Sequence, residues 1–202
     1  NGDSRGVIIS GNYAYVADYT SGLAIIDISD PTSPGTPVYR DTNGYAYGIT
    51  ISGNYAYVAD GSSGLAIIDI SDPTNPGNPV YSDTDGSARG VVISGNYAFL
   101  ADYTSGLAII DISDPTSPGT PVTKDTNGLA RKITINGNYA YLGAGDAGLA
   151  IIDISNPASP GTPIYKDTDG GAYGVAVSGN YAYVAAGGLG LAIIDITNPV
   201  SP

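Results

Sequence analysis

Gly-Asn-Tyr-Ala-Tyr stands at Gly11, Gly53, Gly137 and Gly179, and Gly-Asn-Tyr-Ala-Phe at Gly95, so one unit of 42 residues is copied almost unchanged along the chain. A strict period of this length means one supersecondary unit stacked on its own copies. The copies occupy residues 1–42, 43–84, 85–126, 127–168 and a shorter 169–202, with no linker or change of composition between them. The chain therefore reads as a single domain of repeats.

A period near 42 fits either paired helices or a four-stranded propeller blade, and the local pattern decides. Segments such as NYAYVAD (12–18) and LAIIDIS (23–29) are rich in Tyr, Ile and Val and run between Gly, Asn, Asp and Pro, which is the pattern of strands and turns. The first copy offers four strands, at roughly 5–10, 12–18, 23–29 and 37–41, and later copies repeat the offsets. Gly11-Asn12 is a two-residue hairpin signal, because both residues tolerate the positive φ of primed turns. Three prolines at Pro31, Pro34 and Pro37 predict a stiff, extended connection before the fourth strand. Asp41-Thr42-Asn43-Gly44 also resembles a hairpin turn, but the repeat topology makes it the link from the outer strand of one blade to the inner strand of the next.

Alternation places Tyr13 and Tyr15 on one face of the second strand and Ala14 and Val16 on the other. Leu23 and Ile25 oppose Ala24, Ile26 and Ile28 in the third strand, so large and small faces alternate and each blade is expected to bury both between its neighbours. The aromatic column is expected in the core.

LAIIDISDP at Leu23–Pro31, the matching stretches from Leu65, Leu107, Leu149 and Leu191, and the hairpin before each resemble the LVIVD-repeat family of β-propellers, known from bacterial and archaeal surface proteins. The resemblance spans the chain and implies an all-β propeller of five four-stranded blades at the cell surface or outside the cell. It brings no catalytic motif, and a fold alone fixes no function.

The fifth copy stops at Pro202, where the first has Pro34, so its outer strand is missing. Its third strand, with Leu191, Ile193, Asp195 and Thr197, is expected to be an unprotected edge. That edge is open either because a longer chain was cut there or the blade simply has three strands, or because a neighbouring copy adds a strand or packs across it.

His, Cys, Met, Trp, Glu and Gln are all absent, and all nineteen acidic residues are Asp. The usual Zn, Fe and Cu ligand sets and the Ser-His and Cys-His nucleophile pairs are thereby excluded. No catalytic residue, metal or cofactor is expected. Asp27, Asp69, Asp111, Asp153 and Asp195 form a column whose carboxylates are expected to accept bonds in adjoining turns, and Asp30, Asp72 and Asp114, replaced by Asn156 and Asn198, read as turn caps. Loops carry no EF-hand spacing.

Variation among copies concentrates on one face. One column reads Arg5, Tyr47, Arg89, Arg131 and Tyr173, and Lys132 replaces a glycine, which brings four of the seven basic residues towards the channel mouth. The neighbouring loops carry Asp18 and Tyr19, Asp60, and Asp102 and Tyr103, but Ala144 and Ala186 in the last two copies. Arg, Tyr and Asp around a channel suit a polar ligand such as a sugar, although drift among duplicated blades would leave the same variation. A net charge of −12 disfavours nucleic acid and anionic lipid. No apolar run is long enough for a membrane helix, so membrane insertion is not expected. The reading is thus a non-enzymatic surface protein, either a self-associating scaffold or a carbohydrate-binding module; an Asp-dependent glycoside hydrolase or lyase stands third, because no carboxylate pair is evident.

Overall fold

The computed structural model describes residues 2–202 and contains five antiparallel sheets, four of four strands and one of three. Blade 1 comprises β1 (Gly6–Ser10), β2 (Tyr13–Ala17), β3 (Leu23–Asp27) and β4 (Val38–Arg40). Blade 2 repeats these as β5 (Gly48–Ser52), β6 (Tyr55–Ala59), β7 (Leu65–Asp69) and β8 (Val80–Ser82). Blade 3 has β9 (Gly90–Ser94), β10 (Tyr97–Ala101), β11 (Leu107–Asp111) and β12 (Val122–Lys124). Blade 4 has β13 (Lys132–Asn136), β14 (Tyr139–Gly143), β15 (Leu149–Asp153) and β16 (Ile164–Lys166). Blade 5 ends after β17 (Gly174–Ser178), β18 (Tyr181–Ala185) and β19 (Leu191–Asp195).

Every sheet runs in chain order, so β4 leads to the next blade without pairing with β5. The Gly11-Asn12 hairpin holds Ser10 opposite Tyr13, with Gly11 at φ 56° in the left-handed region that only glycine adopts freely. The proline-rich connection is pinned at its start: the Asp27 carboxylate accepts the Ser29 N–H at 2.8 Å, and the Asp30 carboxylate accepts both the N–H and the hydroxyl of Thr32. These bonds hold the Asp27 and Asp30 carboxyls below the usual carboxylate range.

Blades pack large face on small face. Tyr15, Leu23 and Ile25 of blade 1 meet Ala56, Ala66 and Ile68 of blade 2, and Phe99, Leu107 and Ile109 of blade 3 meet Ala140, Ala150 and Ile152 of blade 4 in the same way. Each buried Leu or Ile contributes about 1.5–3 kcal/mol, so stability resides in the four junctions. Backbone bridges reinforce them: Tyr19 and Ala46 exchange two hydrogen bonds, as do Gly61 and Ala88, Tyr103 and Ala130, and Gly145 and Ala172. At the outer rim the Arg40 guanidinium donates to Pro76 O, Ser82 Oγ to Gly119 O and Lys166 Nζ to Pro202 O, each reaching the next blade.

The expectation that every blade buries both faces is corrected at the two ends. Blade 1 leaves its small face open, with Val7 66% and Ile9 57% exposed, and blade 5 leaves its large face open, with Leu191 62% and Ile193 59% exposed. The chain is an open arc. The strands of blades 1 and 5 carry the same alternation of large and small residues as the others, but neither end has a further blade packed against it.

The missing outer strand leaves its mark on a glycine. Gly64 sits at φ 71°, and a Cβ there would lie 2.4 Å from Ser82 O on the strand beside it, whereas Gly190 sits at φ 82° with nothing within 4 Å. Gly64→Ala is expected to cost the roughly 1–3 kcal/mol of an L-residue held in a sparsely populated positive-φ conformation plus the steric overlap, and Gly190→Ala only the former. Parallel urea titrations measure that difference.

Candidate functional site

The backbone column that begins each inner strand is locked by one hydrogen bond to the end of the second strand: Arg5 N–H to Ala17 O, Tyr47 to Ala59, Arg89 to Ala101, Arg131 to Gly143 and Tyr173 to Ala185. The first strands of successive blades contact one another and so form the inner wall of the arc. Arg5, Tyr47, Arg89, Arg131 and Lys132 therefore converge and line a single pocket of about 180 Å³ at the mouth of the arc.

Guanidinium and phenol groups interleave around it. The Arg89 guanidinium lies 3.9 Å from the Tyr47 ring centroid and 4.7 Å from that of Tyr103; Arg131 lies 5.3 Å from Tyr103 and 5.0 Å from Tyr173; Arg5 lies 5.0 Å from Tyr19. Such contacts fix a cation over a ring without consuming its N–H groups. Arg89 Nε and Arg131 Nε are buried with no hydrogen-bond partner. Arg5 forms an ion pair with Asp3 at 3.3 Å, an exposed contact of little energetic weight. Tyr19 stacks on Tyr45 with centroids 4.4 Å apart and meets Tyr47 edge-on at 5.4 Å.

Two tyrosines occupy backbone positions suited to glycine. Tyr19 at φ 47° and Tyr103 at φ 44° stand where the other copies place Gly61, Gly145 and Gly187, at φ 56–57°. A column reading Tyr, Gly, Tyr, Gly, Gly is the sequence signal of a left-handed position, and sequence reasoning missed it.

Asp18, Asp60 and Asp102 do not line the pocket, which corrects the reading that grouped them with the ligand-facing residues. All three are buried. Asp60 accepts the Thr42 hydroxyl at 2.6 Å and the Gly44 N–H at 2.9 Å, and Asp102 accepts the Thr84 hydroxyl at 2.9 Å. Asp18 accepts Ser4 Oγ–H at 3.0 Å and Gly2 N–H at 3.2 Å. Each carboxylate thus clamps the entry of its own blade. Where alanine replaces it, the threonine turns to a nearer acceptor, Thr126 to Gly128 O and Thr168 to Gly170 O.

Burial pushes the Asp102 carboxyl up to about 6, the charges of Asp85 and Asp83 adding to the rise while the Thr84 bond opposes it. Burial also raises Asp60. A raised native pKa means that the folded state holds the proton more tightly, so this stabilising contribution is complete below the unfolded value near 4 and is lost as pH climbs towards 6. Carboxyls held low, such as Asp27 and Asp30, titrate in the opposite sense, so the Asp102 contribution is read as a difference: relative to Asp102→Asn, which keeps an acceptor for Thr84 but does not titrate, the parent is expected to lose thermal stability between pH 4 and 6.

At the far end of the arc β19 is the outermost strand of a three-stranded sheet, so the edge carrying Leu191, Ile193, Asp195 and Thr197 is unpaired. The Asp195 carboxylate accepts the Thr197 N–H at 2.8 Å, while the side chains of Leu191 and Ile193 stand on the open face beside Tyr181. Among the described residues no group of three acidic side chains is placed to hold a metal ion.

A sequence model described as LVIVD repeat matches residues 1–38, 43–79, 85–126, 127–164 and 169–202. No curated protein matches the sequence significantly. Among solved structures, the computationally designed Ika8 protein superposes with a TM-score of 0.74 at 14% identity, and BamB from Moraxella catarrhalis with 0.69 at 15%. Both alignments cover 96% of this chain but only 58% of the other. The Cps50 (Swd1) β-propeller domain of Myceliophteria thermophila superposes with 0.72 at 14% identity over all of this chain and 68% of that one. Likeness at these identities establishes the propeller fold and no activity. The chain spans somewhat more than half the length of the first two of these proteins.

Proposed function

The chain belongs to the LVIVD-repeat family, and we propose that it is a non-enzymatic structural module that joins end to end with copies of itself, outside the cell or at its surface. One observation carries this reading: the two open faces are the two halves of one junction. Leu191, Ile193 and Tyr183 on blade 5 occupy the positions of Leu23, Ile25 and Tyr15, and Val7, Ala14 and Ala24 on blade 1 those of Ile49, Ala56 and Ala66. Blade 5 of one copy therefore accepts blade 1 of another as blade 1 accepts blade 2. Such an interface is heterologous and leaves a free face at each end, so it propagates until the geometry closes.

The open edge of β19 supports a second mode, in which a neighbour adds a strand there. The exposed aliphatic side chains favour face packing, since a contiguous apolar surface gains more from burial than a short edge does from backbone bonds to water-exposed partners. Placement outside the cell draws on the family and on the acidic, Thr/Ser/Pro-rich loops. Among the described residues no helix is long and apolar enough to cross a membrane. Light scattering over a concentration series tests the proposal: the mass is expected to rise in multiples of 20.4 kDa, and a mass fixed at one copy throughout overturns it.

A further inference from the structure

We propose that the pocket of Arg5, Tyr47, Arg89, Arg131 and Lys132 binds the anionic group of an acidic carbohydrate, a uronate or sulfated sugar, independently of any self-association. The argument begins with charge. The chain carries nineteen acidic residues against seven basic ones, yet among the described residues neither Arg89, Arg131 nor Lys132 forms an ion pair. Three cations gathered without a carboxylate partner make a local positive site on an otherwise acidic molecule, which is the electrostatic condition for holding an anionic group. Stacking on Tyr47, Tyr103 and Tyr173 holds the guanidinium planes while leaving their terminal N–H donors unused. Guanidinium groups present a planar fork that matches carboxylate and sulfate oxygens.

The sugar part follows from the rings. Tyr45 and Tyr173 beside the cluster are 48% and 47% exposed, which is the amphipathic surface on which a pyranose can lay its C–H face. Tyr19 and Tyr103 hold left-handed backbone positions where other copies have glycine, and a side chain kept against that local preference at two of five equivalent positions points to a task for the ring. Negative charge over the rest of the molecule opposes a polyanion at long range, while screening confines that repulsion to about 8–10 Å at physiological salt. The site therefore suits a short acidic oligosaccharide rather than a long polyanion.

The test is titration of the intact protein with tetragalacturonate, with maltotetraose and with inorganic sulfate, read by backbone amide NMR shifts. Tetragalacturonate is expected to shift the amides of the Arg89 and Arg131 segments and to bind at least tenfold more tightly than sulfate, and maltotetraose to leave them unmoved. Arg89→Ala and Arg131→Ala are each expected to weaken the acidic sugar tenfold or more. Lys132→Gly, which restores the residue of the other copies, is expected to weaken it several-fold without disturbing the fold. Absence of any shift with tetragalacturonate, equal binding of maltotetraose, or unchanged affinity in all three variants overturns the proposal. Sulfate binding as tightly as the oligosaccharide overturns the carbohydrate assignment.

Discussion

A copy carrying Val7→Asp and Ile9→Asp and a copy carrying Leu191→Asp and Ile193→Asp are each expected to remain monomeric alone, yet to form a one-to-one dimer when mixed. The first variant keeps only the blade 5 face intact, and the second only the blade 1 face. Mixed, they can make one junction and no more. Each pair of substitutions removes two aliphatic burials, worth about 3–6 kcal/mol together, which lowers association by roughly 10²- to 10⁴-fold before the cost of burying a carboxylate is counted. All four side chains are exposed in the single arc, so denaturation of each diluted variant is expected to match the parent. Light scattering on the three samples reads the outcome. Continued assembly of either variant alone would move the junction elsewhere, and two monomeric variants that ignore each other would remove the head-to-tail geometry.

This expectation could not be framed from the sequence alone, for a physical reason. Alternation along a strand reports which residues share a face, but not whether another blade covers that face. LAIID at Leu191–Asp195 is identical to LAIID at Leu107–Asp111, yet Leu107 is buried and Leu191 exposed. The sequence did reveal the unpaired edge of blade 5, because the missing strand is a matter of length. It did not reveal the open face of blade 1, whose sheet has all four of its strands.

The site was legible to a similar depth. Arg5, Arg89 and Arg131 share a column, and a column in a propeller converges on the axis, so their meeting followed from periodicity. Asp18, Asp60 and Asp102 share a column too, and their variation among copies resembled surface drift. The partner column resolves them: Thr42, Thr84, Thr126 and Thr168 are buried in every link between blades, and a hydroxyl needs an acceptor whether the carboxylate is present or not. The tyrosines at positive φ were visible only as an alternation with glycine, whose meaning depends on a backbone angle.

Equivalent leucines provide the sharpest measure of what a junction contributes. Leu107→Ala is expected to destabilise the protein by about 2–5 kcal/mol, the range for deleting a fully buried leucine whose surroundings cannot collapse into the space. Leu191→Ala, the same substitution at the same position of the repeat, is expected to change the stability of a dilute monomer by less than about 0.5 kcal/mol, as at other exposed sites. The two values should approach each other as protein concentration rises, because a partner that binds only the folded arc stabilises it by mass action and brings Leu191 into an environment like that of Leu107. Urea titrations of both variants and the parent at low and high protein concentration measure this. If the cost of Leu191→Ala stays near zero at every concentration, the exposed face of blade 5 is not covered by a second copy; if it is already large in the dilute monomer, that face is covered from within the chain.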